Sequence, residues 1–335
     1  MFRRPAFLPL ALVFATASVG AFQPPRPQGD SVAVTTAPLS LDNDAPQASR
    51  AGRLTYLGGV VIRSRDQRFG GLSGLRWRDG ALWAVSDDGG LWRIATHESG
   101  GRLTGIASVA TRHLTSEDGK PLPSKVEADA EALEMSADGR AFWVGFGRRI
   151  LLRSYERAAG DGMDFTPVPA VSAVNRAMAG WPVNGGPEAI AGTAPDDGVI
   201  LAEEAKGPDG STLGLRLRPG GRGPDIMRFG YRAPEGFKAT DADFLPDGRL
   251  LVVNRRFSIL EGVAAALTVV DLKDIRAGQI LTGVEIARLQ PPLNVDNMEG
   301  LAVRDEAGRT TIYLVSDDNF NPLQRTLLMK FALDR

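Results

Sequence analysis

DNMEGLAV (residues 296–303) and TIYLVSDDN (residues 311–319) form the unit that decides the fold of this chain. An acidic residue opens a short apolar strand, a turn containing Gly308 reverses the chain, and a β-branched strand runs back into a polar cluster. Such a pair of runs is typical of an antiparallel β-hairpin. The unit recurs four times upstream, so the sequence indicates a fold built from repeats.

The repeat period is nearly constant. With Ser73, Glu131, Glu188 and Asp243 taken as equivalent to Glu299, successive anchors lie 58, 57, 55 and 56 residues apart. A period of that size indicates repeated supersecondary units. The copies supply four strand-like runs each, with Asp-Gly at the hairpin turn of the first four, which is the pattern of a β-propeller blade.

The sequence therefore predicts an all-β fold, a single β-propeller over residues 52–335 with five four-stranded blades. The last copy contains only three strands, and we expect residues 54–62 to supply the fourth and close the ring. Six blades stay open as an alternative, because the loops between the second and third copies are long enough to blur the register.

The residues before the propeller fall into two segments. Residues 1–21 have the pattern of an export signal, in which Arg3 and Arg4 precede an apolar run and small residues allow cleavage after Ala21. That run is too short and interrupted for a membrane anchor, so we expect a periplasmic or secreted protein without stable membrane insertion after cleavage. Residues 22–51 are rich in Pro, Ala, Ser, Thr and Asp, which predicts a flexible linker.

The composition excludes several function classes. A formal net charge of −1 leaves no excess of basic residues for a nucleic-acid backbone. The chain has no Cys and only two His, which rules out thiol catalysis and cysteine-rich or histidine-rich metal centres. We expect a monomer that acts on a small, anionic molecule.

The topology of a blade gathers scattered polar residues into one predicted site. In each blade the first strand starts, and the second strand ends, at the same face of the disc, so the anchors should converge at the mouth of the central channel. We predict catalytic roles for the anchors Glu131, Glu188, Asp243, Glu299 and Ser73. From the ends of the second strands we predict substrate binding by Arg148, Lys206, Asn254, Arg255, Arg256 and Asn319.

Four carboxylates around one channel would repel each other unless something lies between them. A hard cation such as Ca²⁺, which takes about six to eight oxygen ligands, is one remedy, and interleaved arginines are another. The predicted metal ligands are Glu131, Glu188, Asp243, Glu299, Asp87 and Asp317. For any single acid, a purely structural role at a blade interface is an equal alternative.

Several of these segments resemble a known family. GLSGL (71–75) with SDD (86–88), ADAEAL (128–133), GPEAI (186–190), and NMEGL (297–301) with SDDNF (316–320) are similar to bacterial phytase-like domain proteins, described as having esterase-like activity of phytase. The resemblance covers about residues 52–333. It implies a β-propeller, export and Ca²⁺-assisted hydrolysis of phosphomonoesters.

The first functional hypothesis is therefore an exported, metal-assisted phosphoric-ester hydrolase, in which the anchor acids position the cation and Arg255 and Arg256 hold the phosphate. The lack of a dense Lys/Arg lining favours a small ester over phytate itself. Two alternatives stay open. One is a non-enzymatic propeller that binds a ligand or a protein at the same rim, and the other is a Ca²⁺-dependent hydrolase of lactones or carboxyl esters.

Overall fold

Short apolar strands joined by glycine-containing turns give the chain five β-sheets. The structure is a computed structural model that describes residues 30–158, 162–169, 172–182, 185–194 and 196–334. Gly80, Gly139 and Gly248 adopt φ values of 69°, 64° and 83° in three of the hairpin turns, a region that glycine enters at little cost. These turns set the pairing of the first two strands in their blades.

Four strands precede the first blade: β1 (Asp30–Ser31), β2 (Val34–Pro38), β3 (Arg50–Ala51) and β4 (Leu54–Ser64). β2 and β3 pair with β4, and β1 adds to the outer edge of the first blade. Leu39 and Leu41, with 8% and 0% exposure, pack into the core. The flexible linker expected over residues 22–51 is thus corrected for residues 30–51, because their apolar side chains find cover on the propeller. Residues 1–29, with the expected export signal, lie outside the described residues.

The five blades follow in chain order. Blade 1 consists of β5 (Leu72–Arg78), β6 (Ala81–Ser86), β7 (Gly90–Ser99) and β8 (Arg102–His113). Helix α1 (Lys125–Ala128) leads into blade 2, which consists of β9 (Ala130–Met135), β10 (Ala141–Phe146), β11 (Leu151–Arg157) and β12 (Phe165–Val168). Helix α2 (Ser172–Met178) leads into blade 3, with β13 (Pro187–Ala194), β14 (Asp197–Lys206), β15 (Thr212–Arg218) and β16 (Asp225–Arg232).

Blade 4 begins with β17 (Lys238–Phe244), β18 (Leu250–Ser258) and β19 (Gly262–Val270). The next strand, β20 (Ile280–Thr282), leaves this blade and pairs in parallel with β16, after which β21 (Val284–Leu289) completes blade 4. Blade 5 takes β22 (Asn297–Glu306), β23 (Arg309–Asp317) and β24 (Thr326–Leu333) from the C-terminal part of the chain.

β4 closes the ring. It pairs antiparallel with β24, so that Val60 lies opposite Leu328 and Leu54 opposite Leu333. Blade 5 therefore contains strands from both ends of the domain. The predicted five-bladed propeller and its closing N-terminal strand are confirmed.

The core lies between neighbouring blades. Trp83 and Val85 of blade 1 pack with Leu133 and Phe142 of blade 2, all four fully buried. Burial of each such side chain contributes about 1.5–3 kcal/mol. Among the described residues, no helix has the length and apolar character needed to cross a membrane.

Candidate functional site

A β-bulge at the same level of every first strand shapes the mouth of the channel. The pairing between the first and second strand of each blade skips one residue, in chain order Gly74, Glu131, Glu188, Thr240 and Glu299. A bulge re-aims the side chains around it and increases the local twist. Three of the five bulges carry a glutamate, which brings three carboxyl groups to one end of the channel.

Glu131, Glu188 and Glu299 form a cluster that we call the acid mouth. Ser73 lies between two of them, with its Oγ 3.4 Å from Glu131 Oε2 and 3.2 Å from Glu299 Oε2. The single hydroxyl proton of Ser73 serves one glutamate at a time. The carboxyl of Glu188 accepts no hydrogen bond from the residues that the structure describes. Burial is the largest cause of its raised pKa, and neighbouring charges add to it.

Burial and repulsion by neighbouring carboxylates raise the pKa values of two of these acids and of two aspartates beside them. Burial is the largest cause for Glu131 and Glu188, whose pKa values lie well above the usual 4.5, and neighbouring carboxylates add to the shift. Burial also raises the pKa of Asp317 well above its usual value and that of Asp87 to about 6. The acid mouth is therefore a concentration of negative charge that the protein itself compensates only in part.

Arg255 supplies a cation to the acid mouth. Its Nε lies 3.2 Å from Glu299 Oε1, and its Nη2 lies 3.5 Å from Glu203 Oε1. Burial alone would lower the pKa of Arg255, but Glu299, Glu203 and Glu188 outweigh burial and raise it. One fixed guanidinium thus faces several carboxyl groups at the mouth.

Comparison with protein families settles the affiliation of the chain. A family model described as phytase-like, esterase-like activity of phytase, matches residues 67–320. The chain belongs to the phytase-like family. The match includes all five bulges and the whole acid mouth, so the resemblance seen in the sequence is confirmed. A search of curated proteins finds no match to the phytase-like chain.

Solved propellers are similar to this phytase-like chain only distantly. The β-propeller domain of Cps50 (Swd1) from Myceliophteria thermophila is 11% identical with a TM-score of 0.38, and the match covers 90% of this chain and 100% of that one. XC5397 from Xanthomonas campestris, described as a gluconolactonase, is 14% identical with a TM-score of 0.37 and coverages of 91% and 98%. A luciferin-regenerating enzyme is 9% identical with a TM-score of 0.37 and coverages of 89% and 98%. Likenesses this loose carry no information about activity.

Asp243, predicted as a fourth anchor, does not join the phytase-like acid mouth. It lies three residues beyond the bulge residue Thr240, which places it roughly 10 Å further along the strand. Its Oδ2 accepts a hydrogen bond from the backbone N–H of Val303 at 2.8 Å, and its Oδ1 accepts one from Phe244 at 2.8 Å. Thr240 occupies the anchor position and donates its hydroxyl to Met298 O at 2.9 Å.

Asn254 and Arg256, predicted to bind substrate, point away from the mouth. Asn254 is fully buried and accepts a hydrogen bond from the Tyr231 hydroxyl at 2.8 Å. Arg256 forms an ion pair with Glu261 at 2.6 Å. Because side chains alternate along a strand, Arg255 between them is the residue that reaches the acid mouth.

Arg148, Lys206 and Asn319 lie around the mouth but are occupied by their own neighbours. Arg148 Nε lies 3.5 Å from Asp129 Oδ1, and Lys206 Nζ donates to a threonine hydroxyl at 2.7 Å. Asn319 has a φ of 49° and donates its backbone N–H to Asp317 Oδ1 at 2.6 Å. A role of these three residues in substrate binding stays a prediction.

Asp87 and Asp317, predicted as metal ligands, flank the acid mouth. Asp87 Oδ2 lies 3.3 Å from Lys125 Nζ, whereas its buried Oδ1 has no hydrogen-bond partner among the described residues. Asn297 links Asp317 to Glu299, because its Nδ2 lies 3.4 Å from Asp317 Oδ2 and 2.9 Å from Glu299 Oε1.

Two residues at the mouth were not among the site residues predicted from the sequence. Asp129 and Asn297 each lie two residues before an anchor glutamate, Glu131 and Glu299 respectively. Burial raises the pKa of Asp129, and Asp129 in turn raises that of Glu131. Asp129 lies just before β9 and Asn297 is the first residue of β22, so a search for polar side chains at the starts of the first strands could have identified both.

A second charged cluster, which we call the channel plug, lies deeper and is not foreseen by the sequence. Its members Arg76, Glu134 and Asp241 have exposures of 0%, 1% and 0%. Arg76 Nε lies 3.0 Å from Glu134 Oε2, and its Nη1 lies 3.1 Å from Asp241 Oδ2. The Arg76 guanidinium also donates to the carbonyl oxygens of Leu75, Ile190, Ala242 and Leu301. One side chain therefore joins all five blades across the channel.

The acid mouth has the donor chemistry of a Ca²⁺ site without its closed geometry. Carboxylate oxygens are the ligands that Ca²⁺ prefers, and here several lie together in partial burial with raised pKa values. Within the part of the chain that the structure describes, no three or more Asp, Glu, His or Cys side chains are arranged so that they could hold a metal ion. The Ca²⁺ ligand set stays a prediction.

Proposed function

We propose that this phytase-like chain is an exported, metal-assisted hydrolase of small anionic phosphoric esters. Its family membership supports ester hydrolysis. The observation that carries the proposal is the acid mouth, where the half-buried Glu131 and Glu188 lie together and have pKa values well above the usual 4.5. Carboxyl groups with perturbed pKa values of this kind concentrate at catalytic and cation-binding sites. Export is part of the proposal and rests on the pattern of residues 1–21.

The glutamates of the acid mouth, with Asp87 and Asp317 beside them, are the residues that would hold a cation, and they would have to move closer together to do so, because no three of the described acidic side chains are arranged to hold a metal ion. The unpartnered Oδ1 of Asp87 and the carboxyl of Glu188, for which the described residues offer no donor, are the oxygens best placed to become ligands. A bound Ca²⁺ would supply electrostatic stabilisation of the charge that develops on the ester.

Side chains of the acid mouth and its surroundings would bind the ester, transfer a proton and position the glutamates. Arg255, held by Glu299 and Glu203, can bind an anionic oxygen of the ester through charge-assisted hydrogen bonds. A glutamate whose pKa is raised can hold a proton and exchange it with water or with the leaving group, and the pKa values of Glu131 and Glu188 are raised well above the usual 4.5. Ser73 positions Glu131 and Glu299 through its hydroxyl.

Glu299→Gln tests the proposal. The substitution removes one negative charge at nearly constant volume, so kcat/KM for p-nitrophenyl phosphate in the presence of Ca²⁺ should fall at least about tenfold while the melting temperature is retained. Glu285→Gln, an exposed glutamate of the outer strand of blade 4, is the matched control and should leave turnover unchanged.

Two results would overturn the proposal. One is the absence of turnover on phosphate esters with Ca²⁺, Mg²⁺ or Zn²⁺, together with no metal-induced rise in melting temperature. The other is turnover of lactones or carboxyl esters but not of phosphate esters, which would assign the acid mouth to that substrate class.

A further inference from the structure

A cavity of about 490 Å³ lies at the end of the disc opposite the acid mouth. β22 starts at the mouth with Asn297 and ends at Glu306, so the turn that follows this strand lies on the opposite face. That turn bounds the cavity together with the turn between β17 and β18 and with residues just before β4 and at the end of β24. We call it the arginine cavity, because its lining includes three arginines beside a threonine, a leucine and an aspartate: Arg53, Arg249, Arg309, Thr310, Leu333 and Asp334.

A tight turn positions Arg309 and Thr310. Ala307 and Gly308 have φ values of 53° and 84°, and the Gly308 N–H donates to Asp305 Oδ1 at 2.7 Å. Thr310 lies opposite Asp305 in the ladder between β22 and β23. The side chains of Arg309 and Thr310 therefore extend from backbone that the turn and the ladder hold in place.

Arg309 is the least compensated of the three arginines. It forms no ion pair or side-chain hydrogen bond with the residues that the structure describes. Glu306, its neighbour across the ladder, is already engaged, because its Oε1 lies 2.7 Å from both Arg304 Nη1 and Lys330 Nζ. Arg309 therefore brings an uncompensated positive charge to the cavity.

The other two arginines are compensated only in part. Arg249 is paired with Asp247, whose Oδ2 lies 2.9 Å from its Nε and 2.6 Å from its Nη2. Arg53 Nη2 donates to the backbone carbonyl of Asp334 at 3.2 Å. The carboxylate of Asp334 is engaged outside the cavity, since its Oδ2 lies 2.5 Å from Arg50 Nη2. Positive charge is therefore in excess here, although the whole chain has a formal net charge of −1.

The chemistry of the lining favours an anion with several charged groups. Guanidinium groups around one cavity repel each other unless an anion lies between them. A guanidinium donates two parallel hydrogen bonds to a carboxylate or a phosphate group, and the Thr310 hydroxyl adds another donor. A volume of about 490 Å³ is within the usual range of small-molecule sites, about 300–1,000 Å³, and is more than one oxyanion fills.

We propose that the arginine cavity binds a small polyanion that carries two or more phosphate or carboxylate groups. Arg53, Arg249 and Arg309 hold these groups, and Thr310 donates a further hydrogen bond. The site lies on the opposite side of the channel plug from the acid mouth, and its ligand does not depend on the hydrolase proposed above.

Isothermal titration calorimetry tests the site, with the full chain freed of divalent cations by EDTA. Pyrophosphate and citrate are the probes, and both should bind more tightly than acetate. The double variant Arg53→Gln with Arg309→Gln should keep the wild-type melting temperature and bind both probes at least about tenfold more weakly. Arg218→Gln with Arg222→Gln removes two exposed arginines of blade 3 as the matched control, and this variant should bind like the wild type.

The two probes separate the two kinds of anionic group. Tighter binding of pyrophosphate assigns the cavity to phosphate groups, and tighter binding of citrate assigns it to carboxylates. Four results would overturn the site: no heat of binding with either probe, acetate binding as tight as that of citrate, a double variant that binds like the wild type, and a control variant that weakens binding as much as the double variant does.

The acid mouth is the competing location for the anion. Loss of binding in Arg255→Gln, with the double variant unaffected, would place the anion there and overturn the arginine cavity. The double variant should turn over p-nitrophenyl phosphate at the wild-type rate, so failure of the hydrolase and failure of the arginine cavity give different results.

Discussion

The channel of this propeller contains two charged clusters built from the same residue types, the channel plug and the acid mouth. In the plug, Arg76 is fully buried and hydrogen-bonds to groups of every blade. Asp241 Oδ2 beside it also accepts backbone N–H groups of Leu75 and Leu301 at 3.0 and 2.7 Å. In the mouth, Glu188 has no donor among the described residues, and Glu131 and Glu299 share the hydroxyl of Ser73.

The contrast separates the charges of the channel plug, which stabilise the fold, from the charges of the acid mouth, which are available for binding and catalysis. Removing one member of a buried, fully paired cluster leaves the others without compensation, which is strongly destabilising. A buried carboxyl without a partner already costs folding free energy in the native state, and sites that retain such groups are enriched in function. The plug should therefore respond to mutation in stability, and the mouth in activity.

Arg76→Met should have the largest effect. It leaves Glu134 and Asp241 buried without their guanidinium, so the free energy of unfolding should fall by about 3–5 kcal/mol in urea denaturation followed by circular dichroism. Arg63→Met, on the exposed side of β4, should stay within about 0.5 kcal/mol. A loss below about 1 kcal/mol for Arg76→Met would show that the plug does not hold the blades together.

Asp243→Asn should behave as a stability variant although the sequence pattern placed it with the anchors. The two carboxylate oxygens of Asp243 accept hydrogen bonds from the backbone N–H groups of Phe244 and Val303. In asparagine an NH₂ group replaces one of these oxygens, so one hydrogen bond is lost and the free energy of unfolding should fall by about 1–3 kcal/mol. Its kcat/KM should remain within about threefold, whereas Glu299→Gln loses turnover. If Asp243→Asn lost Ca²⁺-dependent turnover with its stability unchanged, Asp243 would belong functionally to the acid mouth and not to the structural acids.

Glu188→Gln should change how stability depends on pH. The pKa of Glu188 in the folded chain lies well above the usual 4.5, so its contribution to stability is complete below about pH 4.5 and is lost as the pH rises through the folded value. The wild type should therefore lose stability more steeply than the variant as the pH rises above 4.5. Urea midpoints across this range measure the difference, and parallel profiles would show that Glu188 does not titrate there.

The fold could be read from the sequence because a propeller repeats one hairpin. The spacing of the anchors and the missing strand of the last copy led to five blades and to closure by β4. Asp243 was wrongly predicted as the fourth anchor because the repeats were aligned by their acidic residues. The bulge residues of blades 1 and 4 are Gly74 and Thr240, so matching polar anchors placed the first one residue early and the fourth three residues late.

The site was less accessible to sequence reasoning than the fold. Strand parity decides that Arg255 faces the mouth while Asn254 and Arg256 do not, and the run LLVVNRR (250–256) shows no alternation of polar and apolar residues from which that parity could be predicted. The plug was missed for a different reason. The partners of Arg76 come from strands up to 225 residues away along the chain, as Leu301 does, and no local sequence pattern indicates such a contact.

The channel plug also prevents molecules from passing through the central channel. Because Arg76, Glu134 and Asp241 are fully buried inside the channel, the acid mouth can be reached from one face only. A polymer cannot be threaded from one face to the other, so only a chain end or a small molecule can enter. If the proposed hydrolysis takes place at the acid mouth, each product leaves by the route that the next substrate uses, and the released anion should compete directly with the incoming ester.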